Sequence, residues 1–297
     1  MFDALVKPIM LYCSDFWGML QIKRNDPSEL LPKRNFIDLV HVRFLKQLLG
    51  VQTQTSNIGV LLETGRVPLL TQAIKNSVKN WNRIVKMNEC NPLVRLSFEN
   101  MVEKDLDWQR NITLLLNQIG LGDILSGNKP NPEIIVYKRL VDIFQQRVFE
   151  EIRQETSKLR TYSLVKKDLR KEPYLETVKN VKDRISMTKF RLSNHNLMIE
   201  KGRHLNLPKH ERKCPLCFCF EDEKHFLLNC PVFALLENDL ITTVERTLKM
   251  NNLRRRSSDV ILGYLLANAE VAPIVAKYLS KTMEVREFLA ETPKRLT

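Results

Sequence analysis

The stretch IIVYKRLVDIFQQRVFEEI, residues 134–152, decides the fold class. Its apolar residues Ile134, Tyr137, Leu140, Phe144, Val148 and Ile152 recur at steps of three or four. That period draws one face of a helix, whereas a strand alternates every second residue. The same pattern extends upstream. Phe36, Leu39, Val40, Phe44, Leu48 and Leu49 mark a helix over 35–49 that Gly50 ends. Ser56 or Asn57 caps a short helix through Glu63, stopped by Gly65. Helices are also expected from Pro68 to about Met87, from Pro92 to about Leu106 and from Asp107 to Ile119. Downstream, the 134–152 helix is expected to run on toward Thr161, and Pro173 to open another with Val178, Val181, Ile185 and Leu192 inward. Three more patterns follow: from Val232 to about Met250, from about Ser258 to Asn268, and from Ala272 to Leu289.

Composition agrees with a helical chain. Of 297 residues 43% are hydrophobic, 27% charged and only 9 are glycine. That excludes wholesale disorder and a collagen, and disfavours β-barrels and doubly wound nucleotide folds, which use glycine in turns and close approaches. The segment LGDILSGNKPNPE, residues 121–133, reads as a linker, so domains are expected at 1–125 and 131–297. The N-terminus lacks the basic and apolar regions of a secretory signal. Val260–Leu279 is the most apolar stretch, but Asn268, Glu270, Pro273 and Lys277 interrupt it. It reads as a pair of core helices rather than a membrane span. The expected location is nuclear or cytoplasmic, without membrane association.

Residues 213–230, KCPLCFCFEDEKHFLLNC, carry the strongest chemical signal. Cys214, Cys217, His225 and Cys230 follow the spacing C-x2-C-x7-H-x4-C. Two residues between the first thiolates let both sulfurs reach one ion from a tight turn, and four soft or borderline ligands suit Zn2+. Four protein ligands leave no open position, so the site is expected to be structural. Cys219 is a rival for Cys217 at a less usual spacing. Arg212, Lys213 and Lys224 are expected to favour the thiolates, and Phe226, Leu227 and Leu228 to form the knuckle's small core. The expected fold is therefore all-α: a helical array with a small zinc-knuckle insertion, at about 205–231, near the C-terminus.

The formal charge is +13. Residues 153–213 hold 17 Lys and Arg against 7 Asp and Glu, so a fifth of the chain carries most of the excess. On a helix through this region, Lys182 and Lys189 flank the apolar stripe on one side and Arg184 and Arg191 on the other. With Arg203, Lys209, Arg212 and Lys213 they form a candidate phosphate-binding set, and RNA or DNA is the expected partner. Phe218 or Phe220 could stack bases. His195 is open between a helix-end hydrogen bond and a nucleic-acid contact. Glu63 and Glu200 lack a second acid at catalytic spacing. Trp17, Trp81 and Trp108 read as packing residues, and Arg254–Arg256 as a solvated linker. No small-molecule substrate is evident.

These residues resemble a family. Arg191, Ser193, His195, Leu197, Ile199, Glu200, Gly202 and Arg203, followed by Glu221, Asp222, Glu223, His225 and Phe226, look like the C-terminal region of non-LTR (LINE-type) retrotransposon reverse transcriptases. There a basic helix precedes a CCHC zinc knuckle. VKPIMLYCSDFWG, residues 6–18, resembles the exit from the polymerase palm, with Cys13 where glycine is usual and Asp15 where glutamate is usual. Residues 42–69 resemble the thumb-like region that follows, and 275–289 the closing helix. The resemblance implies assistance in holding template RNA or target DNA. It implies no catalysis by this chain, because the metal-binding aspartates of a polymerase are not matched and no Asp-Asp pair occurs. On this resemblance the chain corresponds to the last third of a longer polyprotein, as a truncated copy or a sequence begun at an internal methionine. An inactive relic or a zinc-stapled protein-interaction module is the alternative.

Overall fold

The computed structural model describes residues 2–21, 35–88, 90–126, 129–154 and 158–291. It is an array of helices. The longer ones are α1 (Phe36–Leu49), α2 (Asn57–Thr64), α3 (Leu69–Asn88), α4 (Pro92–Glu103), α5 (Asp107–Gln118), α6 (Pro132–Arg153), α7 (Val181–Arg191), α8 (Met198–His204), α9 (Ala234–Leu248), α10 (Ser258–Ala267) and α11 (Ala272–Glu291). Among the described residues there is no strand, only one antiparallel bridge between Lys213 and Phe220. No single described helix is long and apolar enough to cross a membrane; α10 and α11 meet at 108°.

Local chemistry sets the boundaries. The Ser56 hydroxyl accepts from the Gly59 N–H at the start of α2, and Gly65 ends that helix in the left-handed region, φ +65°. Asn91 caps α4 and Pro92 opens it. The helix expected from Pro173 is instead two. Tyr174–Thr177 makes one turn, Val178 is extended, and the Asn180 side chain caps a new helix by accepting from Asp183 N–H. Val181 is therefore exposed while Val178 and Leu192 are buried. The long helix α6 stops at Arg153, short of Thr161, with residues 155–157 outside the described set.

The chain forms two compact units, Met1–Arg43 with Val67–Val148, and Phe44–Arg66 with Phe149–Thr297. This differs from a division at 125–131. In the first unit, the start of α6 is held locally: Arg139 donates to Ile119 O at 3.1 Å, and the Lys75 ammonium lies 5.3 Å from the Tyr137 ring. Its core is built from Ile74, Val78, Trp81, Ile112, Leu115, Val136, Leu140 and Phe144. The inward stripe of α6 thus begins at Val136, and Ile134 is exposed. In the second unit, segment 44–66 is held by an internal ion cluster. Glu63 is fully buried. It accepts from Tyr162 OH (2.5 Å), Tyr174 OH (2.6 Å) and Arg191 Nε (2.7 Å). Arg191 also pairs with Glu172 at 2.6 Å and donates to Leu266 O, and Glu172 pairs with the buried Lys166 at 2.6 Å. Burial and then the Glu63 charge hold both tyrosine hydroxyls well above their ordinary range. Burial opposes the Arg191 charge, but Glu63 and Glu172 outweigh it.

Gly65 sits beneath this cluster. Glu172 N–H donates to Glu63 O at 3.0 Å, so residues 170–172 pass directly over the end of α2, and a Cβ on Gly65 would collide with the Lys171 backbone. Gly120 has the same backbone hand, φ +74°, but open space around it. Gly120→Ala is expected to cost about 1 kcal/mol, the left-handed penalty alone. Gly65→Ala is expected to cost about 2 kcal/mol or more, because backbone must also move. Urea unfolding of both variants checks this, and equal losses would show that the contact is inconsequential.

Candidate metal centre and basic surface

The knuckle is shaped by its own backbone. Cys214 N–H donates to Cys219 O (2.7 Å), Phe218 N–H to Cys214 O (2.9 Å), and Glu221 N–H to Arg212 O (2.9 Å). This tight turn places Phe218 in the left-handed region, φ +63°. The chain then enters a short π-helical turn, His225–Asn229, which Asp222 starts by accepting the His225 N–H at 2.7 Å. Cys230 follows, just before Pro231–Phe233 and α9. Phe226 and Leu227 are buried as expected, yet the core they join is shared: Phe226 lies 6.0 Å from the Phe190 ring of α7 and 5.7 Å from Phe233.

The result is one cluster. Ligand atoms of Cys214, Cys217, His225 and Cys230 all lie within 4.8 Å of one another, a group that could hold a metal ion. His225 Nε2 is 3.3 Å from Cys217 Sγ. Cys219 stands outside the cluster and is exposed. Three thiols and one imidazole, two of the thiols buried, form a closed donor set for a soft or borderline divalent ion. Burial pushes the Cys214 thiol up to about 12 and raises Cys230. Burial likewise raises Cys217, but hydrogen bonds from the Cys219 backbone and the neighbouring thiols overcome it and lower that group. Burial lowers the His225 ring, which favours the neutral form that a metal ligand requires. Of the three cations expected to favour the thiolates, two are engaged elsewhere. Lys224 pairs with Asp259 (2.6 Å), and the Arg212 guanidinium is used on carbonyl groups.

Two acids between the ligands anchor the site, and sequence reasoning gave them no role. Glu221 and Glu223 are fully buried. Glu221 accepts from Arg286 Nε and NH2 (2.7 and 2.6 Å) and from Met198 N–H (2.6 Å). Glu223 accepts from Arg160 (2.6 Å), Ser193 Oγ (3.2 Å) and His195 Nε2 (2.9 Å). Burial raises the Glu223 carboxyl, but the His195 hydrogen bond and the His195 and Arg160 charges bring it down to about 2. His195 is thus a buried hydrogen-bonding partner of the knuckle. The available signal was the density of charge in EDEK, residues 221–224, inside so short a metal loop.

No family model, curated protein or solved structure matches the chain.

The eight cations read as a phosphate-binding set divide into two groups. Arg191 is withdrawn from any surface by its buried pairs with Glu63 and Glu172. Arg212 is spent on the loop, donating to Ile199 O (3.0 Å) and twice to Leu207 O (3.0 and 2.9 Å). Gly202 leaves room for it, since a Cβ there would come within 2.7 Å of the Arg212 stem. Arg184 donates to Val178 O (3.1 Å), Arg203 pairs with Glu200 (2.8 Å), and Lys182 pairs with Glu284 (2.5 Å) at an exposed position. Lys189 is half-buried, and Lys209 and Lys213 are exposed together with Lys201. The two-rail arrangement on α7 is therefore not formed. The exposed cations lie on α8 and the loop that runs into Cys214. Arg254 pairs with Glu237 at 3.3 Å.

The regional charge count also concealed a basic face in the first unit. Helix α3 carries Lys75, Lys79, Arg83 and Lys86 at spacings of four, four and three, and no acid. Lys79, Arg83 and Lys86 line a groove of about 690 Å³ with the amides of Asn76, Asn80 and Asn82, and the acids Asp15 and Glu133 face the same groove.

Proposed function

We propose that the chain is a zinc-stapled nucleic-acid-binding module of the kind found at the C-terminus of non-LTR retrotransposon reverse transcriptases, acting without catalysis of its own. The observation that carries this reading is the continuity between the cluster and the loop 203–213. Cys214 follows Lys213 directly. The Lys213–Phe220 bridge and the Glu221–Arg212 bond tie the loop to the metal turn, with Lys209 and Lys213 exposed on it. Cys214, Cys217, His225 and Cys230 would hold Zn2+, whose closed coordination supplies rigidity rather than a reactive position. A rigid loop presents its ammonium groups without first ordering itself, and phosphate contacts then release counterions from RNA or DNA. The basic face of α3 supports the same reading.

Burial of Arg191 and use of Arg212 inside the fold favour a second reading, in which zinc staples a surface for another protein. Salt titration separates the two. Binding to a single strand is expected to weaken with salt at a log–log slope of about −2 to −3, as three or four phosphates are neutralised. Lys209→Ala with Lys213→Ala is expected to reduce the slope by about 1 to 2 without affecting unfolding. Absence of a salt-dependent component would rule out the nucleic-acid reading.

A further inference from the structure

The second unit contains a polar cleft of about 550 Å³ that joins two stretches far apart in sequence, Gln52–Gln54 and Ser193–Asn196. Asn194 fixes the junction. Its Oδ1 accepts from Gln52 N–H (3.0 Å), and its Nδ2 donates to Gln52 Oε1 (3.1 Å). Gln52 Oε1 also accepts from Gln54 Nε2 at 2.5 Å, so its carbonyl end is occupied and its amino end is left as a donor. Asn196 is oriented in the opposite sense: its Nδ2 donates to Glu287 (2.9 Å), which leaves Oδ1 as an acceptor. His195 lines the same cleft with its side chain only 2% exposed, and its Nδ1 has no partner. The other ring nitrogen is committed to Glu223, so ring flipping would break that bond.

We infer that this cleft receives one unstacked nucleobase of a single strand, read by the Gln52 and Asn196 amides over a floor that includes the buried His195 ring, with the adjoining phosphate at Lys158 and Lys201. This rests on the nucleic-acid-binding reading above and names where that reading would gain base sensitivity. Side-chain amides with one open donor and one open acceptor match the edge of a base, and unpaired bases are the usual target of such contacts in RNA recognition. The volume suits one small organic group rather than a helix. Charge sets the orientation. Glu287 and Glu291 line the cleft and would repel a phosphate backbone threaded through it, whereas half-buried Lys158 and exposed Lys201 attract one at the side.

The test uses the full metal-loaded chain and fluorescence anisotropy with RNA and DNA single strands of about 12 nucleotides, each with an abasic counterpart. The base-bearing strands are expected to bind about tenfold more tightly than the abasic ones at equal salt slope. Gln52→Ala with Asn196→Ala, both exposed side chains, is expected to bring that ratio to within about twofold while leaving the salt slope unchanged and lowering the thermal midpoint by no more than about 4 °C. Salt-dependent binding with no difference between base-bearing and abasic strands overturns the cleft assignment and leaves the electrostatic reading standing. A base preference that survives in the double variant also overturns it. Absence of salt-dependent binding to any strand overturns both.

Discussion

Glu63→Gln is expected to lower folding stability by about 3–5 kcal/mol, the range for breaking a buried ion pair by removing one charge. The substitution keeps the volume, so lost packing does not explain the effect. It replaces one of the two accepting oxygens, Oε1 for Tyr174 and Arg191 or Oε2 for Tyr162 and Arg191, by an amide N–H, and leaves the fully buried Arg191 facing Glu172 with half its compensation. Against a total stability of about 5–15 kcal/mol for a typical domain, this is a large share. The cluster also joins α2 to α7 and, through Leu266 O, to the end of α10, so its loss should loosen the second unit as a whole. Urea unfolding followed by circular dichroism measures it. Glu63→Gln with Arg191→Met should recover about half of the loss or more, because apolar replacement of a whole buried pair is close to neutral. A single-variant change under about 0.5 kcal/mol would show that the cluster is energetically idle.

Removal of a metal from the cluster that could hold one is expected to be the second large effect. Chelation is expected to lower stability by about 4 kcal/mol relative to protein held at a free metal concentration about a thousand times Kd, or roughly 10 °C in midpoint for a chain of this size. Cys214→Ser and His225→Ala should each abolish stoichiometric metal content. Cys219→Ser should leave it unchanged, because that thiol lies outside the cluster. Metal analysis of purified variants reads both, and loss of metal in Cys219→Ser would overturn the ligand set. Loading should also release protons and weaken as the pH falls. The Cys214 and Cys230 thiols, raised by burial, must lose their protons to coordinate. Titration in weak buffer should therefore show about two to three protons released per metal at neutral pH.

What could be read from the sequence was what is decided locally. Ser56, Gly65, Asn91 and Pro92 act on backbone groups within a few residues, so the helix ends follow from them. The Cys/His cluster is likewise legible because its spacing is short and its chemistry narrow. Faces were less legible. Of the apolar pattern on α1, Leu49 is buried but Phe36, Leu39 and Leu48 are exposed, and the buried side is completed by Val42 and Leu45 with His41 and Lys46. Two polar residues on that side obscured it, and Lys46 is tolerated there because its ammonium reaches Thr53 O and Asn57 Oδ1 at 2.6 and 2.7 Å. Arg191 was misassigned for a related reason. Its partner Glu63 lies 128 residues away, and no periodicity reports a contact at that range. A basic residue whose acid is distant looks the same in sequence as one waiting for a phosphate.

The anchoring of Glu221 and Glu223 has a kinetic consequence. Both carboxylates hold the metal loop from outside, through Arg286, Met198, Arg160 and His195, and none of these bonds requires an ion. An isolated finger folds only as it captures its metal, so its loading rate is limited by chain search. Here those bonds are expected to keep the receptor largely assembled before an ion arrives. Uptake should follow simple second-order kinetics, with a rate proportional to metal concentration over a wide range. Exchange with a competing chelator should likewise proceed while the surrounding helices stay closed.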